Sequence, residues 1–483
     1  MSLTRKIAHN TILQFTSKVI GTILGLVTVS LMTRALGQAG FGYYSTVMGF
    51  LQFFGILVDF GLTLTTAQML GKSRAQGSAA TWDESTLLSN ILGLRVVTAI
   101  IFLGLAPMIV LVFPYAPIVK LGIAIGALSF FFMALNQIFL GYFQARLEMQ
   151  WVSIAEIANR LFLLGAIIAC IAFGWGLLAM ITAVTLSNLV QFLFLVLPAS
   201  RKTRMAIAFT WACWLDIWRS TWPIALSIAL NLLYLKTDIL VLSVYRSPEE
   251  VGLYGAAYKV VDVLTTFPVL FAGLLLPLLT QYWQNADRER FGRLIQQGFD
   301  ALSIVAWPIM VGTVFVGHDL MALIAGESFR ESGFLLQLLI WASGIIFFNA
   351  VFAHAIVAID KQKQTIFAYG ITAAVGLFGY VLFIPRFGAI GAATMTIVAE
   401  LCVALLVFIT YVRLTSLRPS IKRWVPIFIS CSMMAGALYL AKPWPFLVQL
   451  PLAIVVYGAA LLLTRGITIN FIKDIISLKR YTA

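Results

Sequence analysis

The stretch TRKIAHNTILQFTSKVIGTILGLVTVSLMTRALGQAGFGYYSTVMGFLQFFGILVDFG, residues 4–61, decides the fold. It opens with Arg5 and Lys6, stays largely apolar as far as Arg34, turns through glycines from Gly37 to Gly42, and runs apolar again to Asp59. A helix rises 1.5 Å per residue, so about 20 apolar residues cross the ~30 Å hydrocarbon core of a bilayer. Both runs are long enough. No small-residue cleavage site precedes Arg34, so the first run reads as a retained spanning helix and not as a signal peptide. A basic end, a span, a short turn and a return span is the smallest unit of a polytopic membrane protein. The rest of the chain repeats it.

The 483 residues are 61% hydrophobic and 11% charged, with mean hydropathy +0.97. Soluble domains carry about 25% charged residues, so the bilayer must be the solvent for this chain. The fold class is an all-α polytopic membrane protein of about 14 transmembrane helices. The spans read as 11–33, 43–66, 86–113, 118–143, 152–173, 177–198, 220–245, 252–282, 295–317, 332–358, 364–385, 388–412, 424–441 and 446–464. With the N-terminus in the cytoplasm, 22 of the 33 Lys and Arg residues fall in inside loops and six outside: Arg34, Lys120, Arg246, Arg330, Arg386 and Lys442. A miscounted span would invert this bias downstream. An even number of spans with both termini cytoplasmic is therefore expected. The net charge of +14 is a consequence of topology and gives no reason to expect nucleic acid.

Two stretches look amphipathic. Trp211, Trp214, Trp218 and Trp222 recur at helical spacing in 209–222, beside Arg201, Lys202, Arg204 and Arg219, which reads as a helix lying in the cytoplasmic interface. The tail 467–480 sets Ile472, Ile475 and Ile476 against Lys473 and Lys479 and reads the same way or as an ordinary basic belt.

The chain repeats after six spans. Gly40-Phe41-Gly42-Tyr43-Tyr44 corresponds to Glu250-Val251-Gly252-Leu253-Tyr254, and Phe173-Gly174-Trp175-Gly176 to Phe387-Gly388-Ala389-Ile390-Gly391, at offsets of 210 and 214 residues. Six spans return the chain to its starting side, so the halves are parallel repeats about an axis along the membrane normal. The expected organisation is a six-helix lobe at 1–200, a linker helix at 201–219, a second six-helix lobe at 220–415, two extra spans at 416–466 and a cytoplasmic amphipathic tail at 467–483.

The segments Leu31-Met-Thr-Arg34-Ala-Leu-Gly37 with Phe41-Gly42, Tyr234-Leu-Lys-Thr-Asp238-Ile-Leu-Val-Leu, and Glu250-Val-Gly-Leu-Tyr-Gly-Ala-Ala-Tyr-Lys259 resemble polysaccharide (O-antigen, Wzx-type) flippases of the multidrug/oligosaccharidyl-lipid/polysaccharide exporter superfamily. The resemblance covers about residues 5–415 and is more specific for the superfamily than for the cargo. It implies two lobes in a V shape, alternating access, a basic cavity, and a polyprenyl-pyrophosphate-linked glycan as cargo in polysaccharide or lipopolysaccharide export. It also implies residence in a bacterial cytoplasmic membrane, alongside polysaccharide polymerase or assembly proteins.

Five basic residues lie inside the spans: Lys18, Arg95, Arg160, Lys236 and Lys259. A charge within the bilayer costs several kcal/mol unless it meets water or a partner. Facing a cavity, these five would replace the hydration of a pyrophosphate. The plainer reading is snorkelling for Lys18, Arg160 and Lys259, and ion pairing for Glu156 with Arg160 and for Lys259 with Asp262. The acidic residues in spans are Asp59, Glu156, Asp238, Asp262 and Glu400, any of which would suit a coupling proton or sodium ion. Asp238 has the alternative of neutralising Lys236, and Asp59 of simply ending a packed region. Gly21 and Gly25 form a GxxxG, read as a close-packing motif or as a point of flexure.

No enzyme signature survives inspection. Gly71-Lys72-Ser73 lacks the glycine a phosphate loop needs five residues earlier, where Thr66 stands. His9, His318 and His354 are isolated, and Cys170, Cys213, Cys402 and Cys431 are scattered, reading as packed thiols. No cofactor or metal is expected. The rival readings are a lipid II flippase or multidrug exporter of the same superfamily, and a polytopic glycan polymerase or ligase, which would need a long outer loop.

Overall fold

The computed structural model describes residues 3–59, 61–76 and 81–467. Among them the regular structure is helical: α1 (Leu3–Asp59), α2 (Leu62–Gln76), α3 (Glu84–Ile109), α4 (Pro117–Arg146), α5 (Gln150–Ala172), α6 (Leu177–Ser200), α7 (Trp211–Tyr245), α8 (Pro248–Gln284), α9 (Arg288–Ala325), α10 (Ser332–Ala358), α11 (Ile366–Thr415), α12 (Trp424–Leu440) and α13 (Phe446–Leu463). Ten stretches among the described residues are long and apolar enough to cross a membrane. Two of these, Thr16–Asp59 and Gln362–Thr415, are about twice the length one crossing needs. Each bends at a glycine, Gly37 (φ 66°) and Gly388 (φ 58°). Counting each as two, and adding α7 and the 17-residue α12, recovers the fourteen passes read from the sequence.

Packing contacts show that α1 reverses at Gly37. Its first part runs alongside α5: Ser17 bonds Ser153, Lys18 meets Glu156, and Met32 packs with Leu163 and Ile167. Its second part runs alongside α4, with Val47 against Gly122, Leu51 against Gly126 and Phe130 against Gly55. Helix α6 is parallel to α4, where Gly122 faces Ile181 and Ser129 meets Asn188, and antiparallel to α5, where Asn159 bonds Ser187 and Cys170 packs with Met180. The two parts of α1 are therefore antiparallel. A positive φ is what a glycine supplies at little cost at such a reversal.

Arg246 and Glu250, at the α7–α8 turn, cap the bend in α11. Arg246 donates to the carbonyls of Ile384 (3.3 Å) and Pro385 (3.1 Å), and Glu250 Oε1 accepts from the Ala389 amide at 2.6 Å. The orphaned acceptors of the incoming helix and a donor of the outgoing one are satisfied from one turn.

Backbone conformations recur at the spacing of the expected repeat. Leu147 and Asp360 both end a helix in the left-handed conformation (φ 55° and 56°), and Gly174 and Gly388 share φ of 67° and 58°. Their offsets are 213 and 214 residues. The closing hydrogen bonds also correspond: Glu148 to Phe143 at the first site, Lys361 to Ile356 at the second.

Met1–Gly255 with Ala373–Ala392 form one compact unit, and Ala256–Thr372 with Ala393–Ala483 a second. Within the second, α12 is stitched to α9 and α10 by an aromatic cluster in which Trp307, Phe299 and Phe348 surround Trp424.

One expectation changes. The tryptophan-rich stretch 209–222 is not a separate helix in the interface: Trp211 begins α7, which continues unbroken to Tyr245. Trp211, Trp218 and Trp222 remain exposed along one side of its first turns, as suits an aromatic belt. The linker before it is extended and pinned to α3, with the Thr210 amide donating to Asn90 Oδ1 at 2.7 Å and the Ala208 amide to the Ser89 carbonyl at 3.2 Å. The proposed amphipathic tail at 467–480 lies, but for Ile467, outside the described residues.

Candidate functional site

The first unit holds two polar clusters within its spans. In the cluster on α1 and α5, Lys18 Nζ lies 3.5 Å from Glu156 Oε1. Glu156 therefore turns to Lys18, and the i,i+4 pair expected with Arg160 does not form. Arg160 lies in the groove left by the GxxxG: a methyl built on Gly25 would stand 3.4 Å from Arg160 Nη1, and one on Gly21 3.5 Å from Glu156 Oε1. The motif thus makes room for two charged side chains of the neighbouring helix and does not bring two backbones together. Arg160 makes no ion pair within 4.0 Å among the described residues. Lys18 keeps 45% of its side chain exposed.

The other cluster sits where the second span breaks. Arg95, eleven residues into α3, is about 17 Å from the start of that helix and is fully buried. Its Nη1 donates to the Val58 carbonyl at 2.8 Å, and its Nη2 to Asp59 Oδ1 at 2.8 Å and Thr63 Oγ1 at 3.3 Å. The expectation that Arg95 faces a cavity is corrected: its guanidinium is enclosed by the α1 terminus. The physical reason is the break itself. Asp59 ends α1, Gly61 takes φ 75°, and α2 begins at Leu62, so a carbonyl and a carboxylate without helical duties turn to the nearest cation. The span also runs to Gln76, ten residues past its expected end.

The remaining candidates lie elsewhere. Lys236 and Asp238 sit two residues apart on α7 and so point to different sides of it. Lys236 is half-buried. Asp238 is fully buried and accepts from the Tyr254 hydroxyl at 2.6 Å. In the second unit, Lys259 and Asp262 form the expected i,i+3 pair at 3.8 Å, and Glu400 is 3% exposed. The structure thus brings together Lys18, Glu156 and Arg160, and separately Arg95 and Asp59. Sequence reading missed Thr63, Gln137 and Tyr254. A polar residue in an apolar span was the available signal for Gln137.

Near the α7–α8 turn the two copies of the repeat touch. A methyl on Gly42 would lie 1.7 Å from the Pro248 carbonyl oxygen, and one on Gly252 2.1 Å from that of Gln38. Gln38 and Pro248, like Gly42 and Gly252, are 210 residues apart. The contact is therefore reciprocal, and only glycine permits so close an approach of two backbones.

Comparison with known proteins agrees with this fold. A family model described as polysaccharide biosynthesis protein matches residues 7–283, and the MatE model matches residues 223–382. The probable flippase AglR of Haloferax volcanii is 24% identical over 48% of this chain and 49% of its own length. The probable low-salt glycan biosynthesis flippase Agl15 of the same archaeon is 20% identical over 34% of each. The chain thus spans about half, or a third, of the length of these curated relatives. Among solved structures, the lipid II flippase MurJ in an inward closed conformation gives a TM-score of 0.76 at 16% identity, covering 95% of this chain and 99% of that one. An inward-facing multidrug resistance MATE family transporter gives 0.66 at 13% identity, covering 84% and 98%. At these identities the structural likeness speaks to the fold alone. With helices enough for a multi-pass membrane protein and a family model matching more than half its length, the chain belongs to the polysaccharide biosynthesis protein family.

Proposed function

We propose that the protein carries a polyprenyl-pyrophosphate-linked oligosaccharide from the cytoplasmic to the outer leaflet of a bacterial inner membrane by alternating access, in O-antigen or related polysaccharide export. The observation that carries this reading is Arg160, a guanidinium held within a span against Gly25 with no acidic partner among the described residues. Such a cation is costly in a membrane unless an anion visits it, and a phosphate matches its fork of donors. Lys18, beside it, and Lys236 supply further positive charge for the same headgroup; Lys259 is the fifth candidate. Arg95 serves the site by fixing Asp59, not by touching phosphate.

Movement is coupled to a proton or sodium ion. Asp238 is the preferred carrier, being buried in a spanning helix and hydrogen-bonded by Tyr254, and Glu400 is second. Glu156, Asp262 and Asp59 already face cations, which weighs against a coupling role for them.

The test is translocation in proteoliposomes of an undecaprenyl-pyrophosphate-linked oligosaccharide. Lys18→Gln with Arg160→Gln should lower the rate at least about tenfold, the scale of one lost charge-assisted bond, with insertion and thermal stability retained. Wild-type transport by this double variant would refute the assignment. Faster movement of lipid II than of the oligosaccharide lipid would assign the protein to peptidoglycan supply instead.

A further inference from the structure

The break in the second span leaves three polar side chains together, and their partners decide what they can bind. Thr63 Oγ1 stands 2.6 Å from Asp59 Oδ1 and 3.4 Å from Gln137 Oε1. A hydroxyl has one proton, and the shorter contact takes it. Gln137 Oε1 then receives no proton from Thr63, and the amide nitrogen has no partner among the described residues. Asp59 Oδ1 is occupied twice, by Thr63 and Arg95, while its Oδ2 has no described partner.

These groups are not sealed. The Asp59 side chain is 18% exposed, and Thr63, Gln137 and Gln52 are half-buried. Gln52 lies two turns before Asp59 on the same side of α1. A row of carboxylate and carboxamides on a spanning helix is costly against acyl chains and is best met by water. Interrupted spans are also where transporters expose polar groups to their cargo.

Charge then selects the ligand class. Arg95, 2.8 Å from Asp59, already neutralises the carboxylate. A visiting cation would meet the guanidinium, and a phosphate would meet the carboxylate. What remains is a locally neutral surface with a free acceptor, Asp59 Oδ2, beside a free donor, the Gln137 amide. Hydroxyl groups, which donate and accept at once, satisfy both.

We propose that Asp59, Thr63 and Gln137, held in place by Arg95, form a hydroxyl-recognition site for the sugar of the cargo. The inference rests on the flippase reading above and adds a specificity site separate from the cations. Asp59 and Gln137 contact the glycan; Arg95 is a positioning residue.

The experiment measures binding of four lipids to the purified full chain: undecaprenyl pyrophosphate, and the same lipid bearing glucose, galactose or N-acetylglucosamine. The wild type should bind at least one sugar-bearing lipid about tenfold more tightly than the bare lipid, the scale of hydrogen bonds to a charged group. Gln137→Ala should erase that margin while leaving the affinity for the bare lipid unchanged, with thermal unfolding confirming that the variant is folded. Asp59→Asn is the second variant, should erase the margin likewise, and keeps the side chain's shape. If every lipid binds the wild type equally, or if the margin survives in both variants, the hydroxyl site is overturned and the flippase reading stands. If no lipid binds the wild type, both fall.

Discussion

At the scale of single residues, Arg95 and Asp59 form an ion pair at 2.8 Å whose arginine is fully buried, so its worth can be read in stability. Arg95→Ala leaves a carboxylate without its cation and should cost about 3–5 kcal/mol, read as a fall in unfolding temperature in detergent. Replacing both partners, Arg95→Met with Asp59→Leu, should recover most of that stability because no lone charge remains, while abolishing sugar discrimination. Gly25→Leu tests the other cluster. Its side chain would occupy the place of Arg160 Nη1, 3.4 Å from the site of a methyl, and should slow translocation about tenfold or more if Arg160 holds a phosphate. The sequence made the charges legible and left their partners hidden. Lys18, Arg95 and Arg160 stand out because a charge in an apolar run is improbable without a purpose. Which of them is enclosed depends on where a neighbouring helix ends. Nothing in the apolar stretch around Asp59 reveals that Val58 and Asp59 turn toward α3.

Elements were more legible than sites. Arg34 and Arg386 interrupt long apolar runs, and the structure bends beside each, at Gly37 and Gly388. Gly388→Ala should destabilise the chain by about 1–3 kcal/mol, since its methyl would stand 1.9 Å from Glu250 Oε1 on a backbone already at positive φ. A smaller effect is expected at the start of α3, where Asp83 accepts from the amides of Ser85 (3.1 Å) and Thr86 (3.2 Å). Asp83→Ala should cost about 1 kcal/mol at neutral pH. Bonds from Thr86, and then Ser85, hold this carboxyl below its ordinary range. The stabilisation is therefore complete above about pH 4 and fades as pH falls through the lowered value, so the gap between wild type and variant should close in acid. The start of α7 was misread because tryptophans at helical spacing look alike in an interfacial helix and in the first turns of a spanning one. Only continuity of the backbone distinguishes them.

For the molecule as a whole, the distribution of Lys and Arg is what the expected topology rests on, because each added pass exchanges inside for outside. With the four free cysteines replaced by serine, Arg386→Cys should react with a membrane-impermeant maleimide added outside, and Lys361→Cys should not. The reverse result would invert the orientation. Two short glycine patterns led to the expectation of an internal repeat, and Leu147 and Asp360, at a similar offset, close their helices alike. The meeting of Gly42 with Pro248 and of Gly252 with Gln38 has the logic of an isologous interface, in which one patch is complementary to itself. A polypeptide carrying a single copy of this pattern would possess, on its own surface, the means to pair with an identical twin. Fusion of two such genes would preserve that handshake within one molecule.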